Sequence, residues 1–161
     1  MNKKLLTLLA LFIVIGSVSA VSAFDLGDLF GGSDDQNQTV TVGGEKFNIP
    51  ANYEEVDTPK DMSAPFEEFN KTTGASVIIK AFIDKDDDEK GYGICVFGNL
   101  TDSELDELAP ASDNNATLAG INGTLYKDEG NVTVFRYVKD SKVVMITSSG
   151  DKDTIANAII S

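Results

Sequence analysis

The chain has 161 residues, with 26 Asp and Glu against 13 Lys and Arg, no histidine, no tryptophan, one cysteine and a formal net charge of −13. A surface this acidic excludes nucleic acid as a partner and repels anionic lipid, because affinity for phosphate comes from Lys and Arg neutralising it. Without histidine no Ser-His or Cys-His nucleophile pair can form, and a single cysteine permits neither an intrachain disulfide nor an ordinary zinc site.

The first 23 residues read as a signal peptide. Asn2-Lys3-Lys4 is a short basic start, residues 5–15 are apolar apart from Thr7, and Val18-Ser19-Ala20 and Val21-Ser22-Ala23 both fit a small-x-Ala cleavage site. The basic end stays in the cytoplasm and the small residues fit the peptidase. The rival is a retained anchor, since residues 5–24 approach the roughly 20 needed to cross a bilayer. Gly16, Ser17, Ser19 and Ser22 weaken its second half and favour cleavage. Both readings place the remainder outside the cytoplasm, secreted or at the cell surface, with the membrane touched only through an uncleaved N-terminal segment. Cleavage removes Lys3 and Lys4 and no acid, so the mature charge is more negative still.

Residues 24–38 read as a flexible leader. Glycines, Ser33, Asp34 and Asp35 break any periodicity around an apolar cluster of Phe24, Leu26, Leu29 and Phe30. Residues 39–161 then form a single domain. Val40-Thr41-Val42 and Lys46-Phe47-Asn48-Ile49 predict two strands around Gly43-Gly44, and Pro50 ends the second. Residues 51–63 read as polar loop, and 66–70 as a weak alternation. Residues 75–83 and 92–97 predict strong strands joined by a hairpin-like loop at 84–91.

Thr101-x-x-Glu104 is a capping box, Leu105, Leu108 and Ala109 share one helical face, and Pro110 stops the helix. After a loop at 111–116, a three-stranded meander is expected at 118–127, 132–139 and 142–148, with turns at 128–131 and at Asp140-Ser141. A last helix starts near Lys152, with Ile155 and Ile159 one turn apart. The expected fold class is α+β, a mainly antiparallel sheet packed with two short helices and preceded by an N-terminal signal segment.

Six Asn-x-Thr triplets begin at Asn37, Asn70, Asn99, Asn115, Asn122 and Asn131. Eleven asparagines and 24 Ser and Thr predict about 1.6 such triplets by chance, and every one here uses Thr although Ser is equally common. N-glycosylation at some of them is therefore expected. The bland alternative is that Asn suits turns and Thr suits strand starts.

Asp84-x-Asp86-x-Asp88 opens like a calcium loop, but the sixth and twelfth places hold Glu89 and Cys95 instead of Gly and Glu. These three carboxylates are weak metal candidates, and a solvated hairpin is the preferred reading. Cys95, inside Ile94-Cys95-Val96-Phe97, reads as a small core hydrophobe. Ser149-x-x-Lys152 has the spacing of penicillin-binding enzymes without their companion motifs, so Asp151 is read as a helix cap. Arg136 is the chain's single arginine, on the strand face opposite Phe135 and Tyr137. It is expected to face solvent beside an acid, and it is the best candidate to bind a ligand carboxylate.

Phe47-Asn48-Ile49-Pro50 with Tyr53, then Gly120-x-x-Gly123-x-x-Tyr126, Phe135-x-Tyr137, Asp140-x-Lys142, Met145-Ile146 and residues 155–161, resemble short exported proteins of methanogenic archaea whose function is uncharacterised. The layout is also similar to PsbP-like sandwiches. That resemblance implies a non-enzymatic assembly or binding factor and assigns no functional residue. The expected function is an exported non-catalytic domain, N-glycosylated, that binds another envelope or extracellular protein without a cofactor. A hydrolase built on carboxylates and a calcium-stabilised surface module are the alternatives.

Overall fold

A computed structural model of the chain describes residues 37–58, 60–127 and 132–160. In chain order it forms β1 (Gln38–Val42), β2 (Glu45–Ile49), β3 (Tyr53–Val56), α1 (Lys60–Thr73), β4 (Ser76–Asp84), β5 (Asp87–Gly98), α2 (Asp102–Leu108), β6 (Asn115–Leu118), β7 (Ile121–Lys127), β8 (Thr133–Lys139), β9 (Lys142–Ser148) and α3 (Lys152–Ala158). The signal segment, residues 24–36 of the leader and Asn131 lie outside the described residues.

Two strands set the architecture. β5 is buried without a break from Tyr92 to Gly98, and β9 from Val143 to Ser148. Strands apolar on both faces must lie inside a covered sheet. They pair with each other at the middle of a seven-stranded antiparallel sheet ordered β3-β4-β5-β9-β8-β7-β6. The fold is thus α+β and dominated by antiparallel sheet.

One face carries Tyr92, Ile94, Val96, Phe135, Tyr137, Val144 and Ile146, and is covered by the separate β1–β2 hairpin together with α3. Val42, Phe47 and Ile49 of the hairpin are wholly buried there, as is Ile155 of α3. The backbone of Phe47 bridges to Ile159, which ties the hairpin to the end of α3. The Tyr92 hydroxyl donates to the Thr154 carbonyl at 3.2 Å, and burial pushes its phenol up to about 12. The opposite face carries Cys95, Phe97, Val134, Val143 and Met145 beneath Phe66 and Phe69 of α1 and Leu105 and Leu108 of α2. The Phe66 and Phe69 rings stand 6.1 and 5.9 Å from that of Phe97. Cys95 is a buried free thiol, raised far above its ordinary pKa by desolvation.

The capping box at Thr101 and the Asp151 cap form as read: the Thr101 side chain accepts from the Glu104 N–H, and Asp151 accepts from the Asp153 and Thr154 N–H groups. Four expectations are corrected. Three helices pack on the sheet among the described residues, since α1 occupies part of the stretch read as loop and weak strand. Met62, Phe66 and Phe69 stand at helical spacing, a signal the polar reading of 51–63 passed over, and packing of Phe66 and Phe69 on Phe97 holds the helix to the sheet. β3 also arises within that stretch, as an edge strand on β4.

The acidic hairpin is a tight turn at Lys85 and Asp86, because β5 begins at Asp87. The expected strand at 118–127 is instead a hairpin of β6 and β7, making the meander four-stranded. It reverses at Ala119 and Gly120, with φ of 49° and 79°. Alanine is an uncommon choice for a left-handed position, which hid the turn.

Glu45 locks the hairpin cover onto the sheet. Its carboxylate is largely buried and receives Lys142 Nζ at 2.8 Å and Lys139 Nζ at 3.0 Å, while Lys142 also donates to the Gly43 carbonyl at 3.1 Å. The Lys142 hydrogen bond holds the Glu45 pKa below its ordinary 4.5, against desolvation. Gly43, at φ +58°, lies so close that an added Cβ would stand 2.6 Å from Val96 Cβ.

Because the folded-state pKa of Glu45 is lowered, its stabilisation is full above the unfolded value and is lost as pH falls through the folded one. Chemical denaturation at neutral pH is expected to show Glu45→Gln about 1.5–3 kcal/mol less stable, with a shallower loss of stability below pH about 4.5 than the parent. Gly43→Ala should cost about 1–3 kcal/mol, through the left-handed φ and the clash with Val96.

Candidate functional site

The covers of the sheet stop short of one corner. α2 ends at Leu108, and the chain at 109–112 runs past the outer strands before β6 begins. On the face shared with α2, strand alternation brings up Asn115 and Thr117 of β6, Asn122 and Thr124 of β7, and Arg136 and Val138 of β8. An open groove of about 620 Å³ lies over them, bounded on its other side by Ala109, Pro110, Ala111 and Ser112. That volume is in the range of small-ligand sites.

The two Asn-x-Thr triplets of β6 and β7 are zipped in register. Asn115 faces Thr124 and Thr117 faces Asn122 across the ladder, and the Thr117 hydroxyl donates to Asn122 Oδ1 at 2.6 Å. The result is a polar, uncharged ladder ending at Arg136, which pairs with Thr124.

Arg136 stands on the face opposite Phe135 and Tyr137, but not in the expected solvent setting. It is half-buried, its Nε is sealed from solvent without a hydrogen-bond partner, and no ion pair reaches it among the described residues. Burial draws its guanidinium below its ordinary pKa, with the Tyr126 phenol acting the other way. The group stays charged, since no protein environment deprotonates arginine. Among the described residues lining the groove there is no Asp or Glu. In a chain with twice as many acids as bases, the one charge lining the groove among the described residues is positive.

The remaining candidates are scattered. Asn37 is exposed just before β1. Asn99 is exposed in a left-handed turn at φ 58°, ahead of the α2 capping box. Asn70, near the end of α1, donates its side-chain amide to the Ala75 carbonyl at 2.6 Å, so the atom a glycan would need is already engaged. Asp84 is buried and accepts from Asn52 Nδ2 and from the Asp86 N–H, both at 2.9 Å, while Asp86 and Asp88 are exposed. Among the described residues no three His, Cys, Asp or Glu side chains gather as a metal site. Ser149 accepts from the Gly91 N–H at 3.0 Å, tying a loop to β5.

The sequence reading singled out Arg136, Asn115 and Asn122 separately, but missed Ser112, Thr124 and Val138 as their neighbours. The signal was the equal spacing of the two triplets about Ala119-Gly120, which becomes visible once a hairpin is drawn there. Comparison with known proteins finds no matching family model, no matching curated protein and no matching solved structure.

An arginine half-buried without an acceptor weakens the fold it sits in, and an apolar side chain of similar length avoids that cost. Arg136→Met is therefore expected to leave the melting temperature unchanged or to raise it, by up to about 1–3 kcal/mol in stability. A destabilisation of that size would make Arg136 a structural residue.

Proposed function

We propose that this chain is an exported, non-catalytic domain that binds another component of the cell envelope through the groove over β6, β7 and β8. The observation that carries the reading is Arg136, half-buried on the groove, without an ion-pair partner and with no acid lining the groove among the described residues. Such a group costs stability and makes sense as a contact kept for something outside the chain. The rest of the groove offers hydroxyl and amide groups but no activated nucleophile and no paired carboxylates. That composition supports binding over turnover.

Export rests on the signal pattern in residues 1–23, and the absence of histidine from the chain leans toward binding as well. The proposal places the chain with short exported proteins of methanogenic archaea, in a PsbP-like layout. What supports that layout is an antiparallel sheet with helices on both faces.

We also propose N-glycosylation, with Asn37 and Asn99 as the preferred acceptors because both are exposed, lie outside the groove and engage no side-chain hydrogen bond among the described residues. Asn70 already holds its amide nitrogen against the Ala75 carbonyl, and sugar on Asn115 or Asn122 would fill the groove.

Two measurements test this. A photo-crosslinking side chain at Val138, which is 49 % exposed on the groove rim, should trap an envelope component on intact cells, whereas the same probe at Ile78, 44 % exposed on β4, should not. Equal adducts at both positions, or none at Val138, would refute the groove as the contact surface. Intact-mass analysis of natively purified protein should show a chain lacking residues 1–23 and carrying sugar that Asn37→Gln and Asn99→Gln remove.

A further inference from the structure

We propose that the groove binds a carboxylate carried on a polyhydroxylated body, an acidic sugar unit, with Arg136 holding the carboxylate and the Asn–Thr ladder meeting the hydroxyls. This rests on the groove being the contact surface and adds the chemistry of what fills it.

The charge comes first. The chain as a whole repels anions, at a net −13, so an anion can be held only where a positive group is shielded from the surrounding acids. Arg136 satisfies that condition: among the described residues the groove lining holds no carboxylate, and partial burial strengthens any pairing the guanidinium makes. A guanidinium presents donors in a flat fork that matches a carboxylate with two parallel hydrogen bonds. Nothing within the described residues already occupies that fork as an ion-pair partner.

The flanking groups point to the body that bears the acid. Asn115, Thr117, Asn122 and Thr124 are neutral and offer both donors and acceptors. They repeat at about 4.8 Å between strands and about 7 Å along each strand, wider than the gap between vicinal hydroxyls, so successive ladder groups would meet hydroxyls across a ring or on adjoining sugar units. Thr117 already satisfies Asn122 Oδ1, which leaves the Asn122 Nδ2 donors available to a ligand. Pro110, Ala111 and Val138 add a small apolar wall that can take the C–H face of a sugar ring. An acyl chain would need more apolar surface than this wall provides, and a bare inorganic anion would leave the ladder unused.

Titration calorimetry on the purified full chain tests the inference, using tetragalacturonate, its neutral methyl ester and hexaglutamate. Tetragalacturonate should bind saturably, and the ester and hexaglutamate each about tenfold more weakly or worse. Arg136→Gln should lose the preference for the acid over the ester. Ala111→Trp alters only an exposed rim residue, so it should fill the groove and abolish binding with an unchanged melting temperature.

The proposal is overturned if tetragalacturonate does not bind, if the ester or hexaglutamate binds as tightly, or if both variants bind like the parent. Should binding fail while the Val138 adduct still forms on cells, the contact surface stands and only the acidic sugar is removed. Failure of both removes both.

Discussion

The pairing of β5 with β9 is the constraint from which the rest of the structure follows. Tyr92 to Phe97 and Val143 to Ser148 are opposed in register, and both segments are buried on both faces. Such a pair cannot stand at an edge or face water, so the chain must supply a cover on each side. There is no intrachain disulfide to share the task, and stability comes from burial of apolar side chains. Each fully buried Phe or Ile contributes about 1.5–3 kcal/mol toward offsetting chain entropy.

The covers come from different parts of the chain and are fixed by different means. On one face the β1–β2 hairpin and α3, from the two ends of the described chain, meet at the Phe47–Ile159 bridge. The Glu45–Lys139–Lys142 cluster sets where the hairpin lands, because a largely buried carboxylate must find its cations and Gly43 admits close approach to Val96. On the other face α1 and α2 are short, and their buried residues reach the sheet mainly over Cys95, Phe97, Val134, Val143 and Met145. The groove exists because that second cover runs out before β6, β7 and β8 do. Its position is thus a by-product of helix length, and its chemistry is that of the strand face left uncovered.

That uncovered face is unusual for this protein. Elsewhere Lys139 and Lys142 pair with Glu45, and Lys80 pairs with Glu55 at 2.7 Å and Lys90 with Asp87 at 2.9 Å, the last two in exposed contacts of small energetic weight. Arg136 has no such partner among the described residues, though acids outnumber bases two to one. A charge that could readily have been neutralised, and is not, gives the groove a character opposite to that of the surface around it.

Local rules made much of this legible from sequence alone. The α+β class, the strong strands around β4, β5, β8 and β9, the Gly43-Gly44 and Asp140-Ser141 turns, the α2 capping box, the Asp151 cap and the buried Cys95 each follow from a period, a turn residue or a cap. The alternation of β8 also placed Arg136 on the face away from Phe135 and Tyr137. Tertiary structure alone decided three things. It made a helix of 60–73, where the apolar spacing is only Met62, Phe66 and Phe69 in a polar stretch interrupted by Pro65. It folded β6 back on β7 through a left-handed Ala119. It half-buried Arg136 without an ion-pair partner among the described residues. In each case the outcome depends on packing beyond the segment itself: the Phe97 ring under α1, the β6–β7 register that lays two triplets side by side, and the chain at 109–112 that borders the open strand face. A pattern within a dozen residues records what a segment can form, whereas the surroundings of a side chain are set by packing across the whole chain.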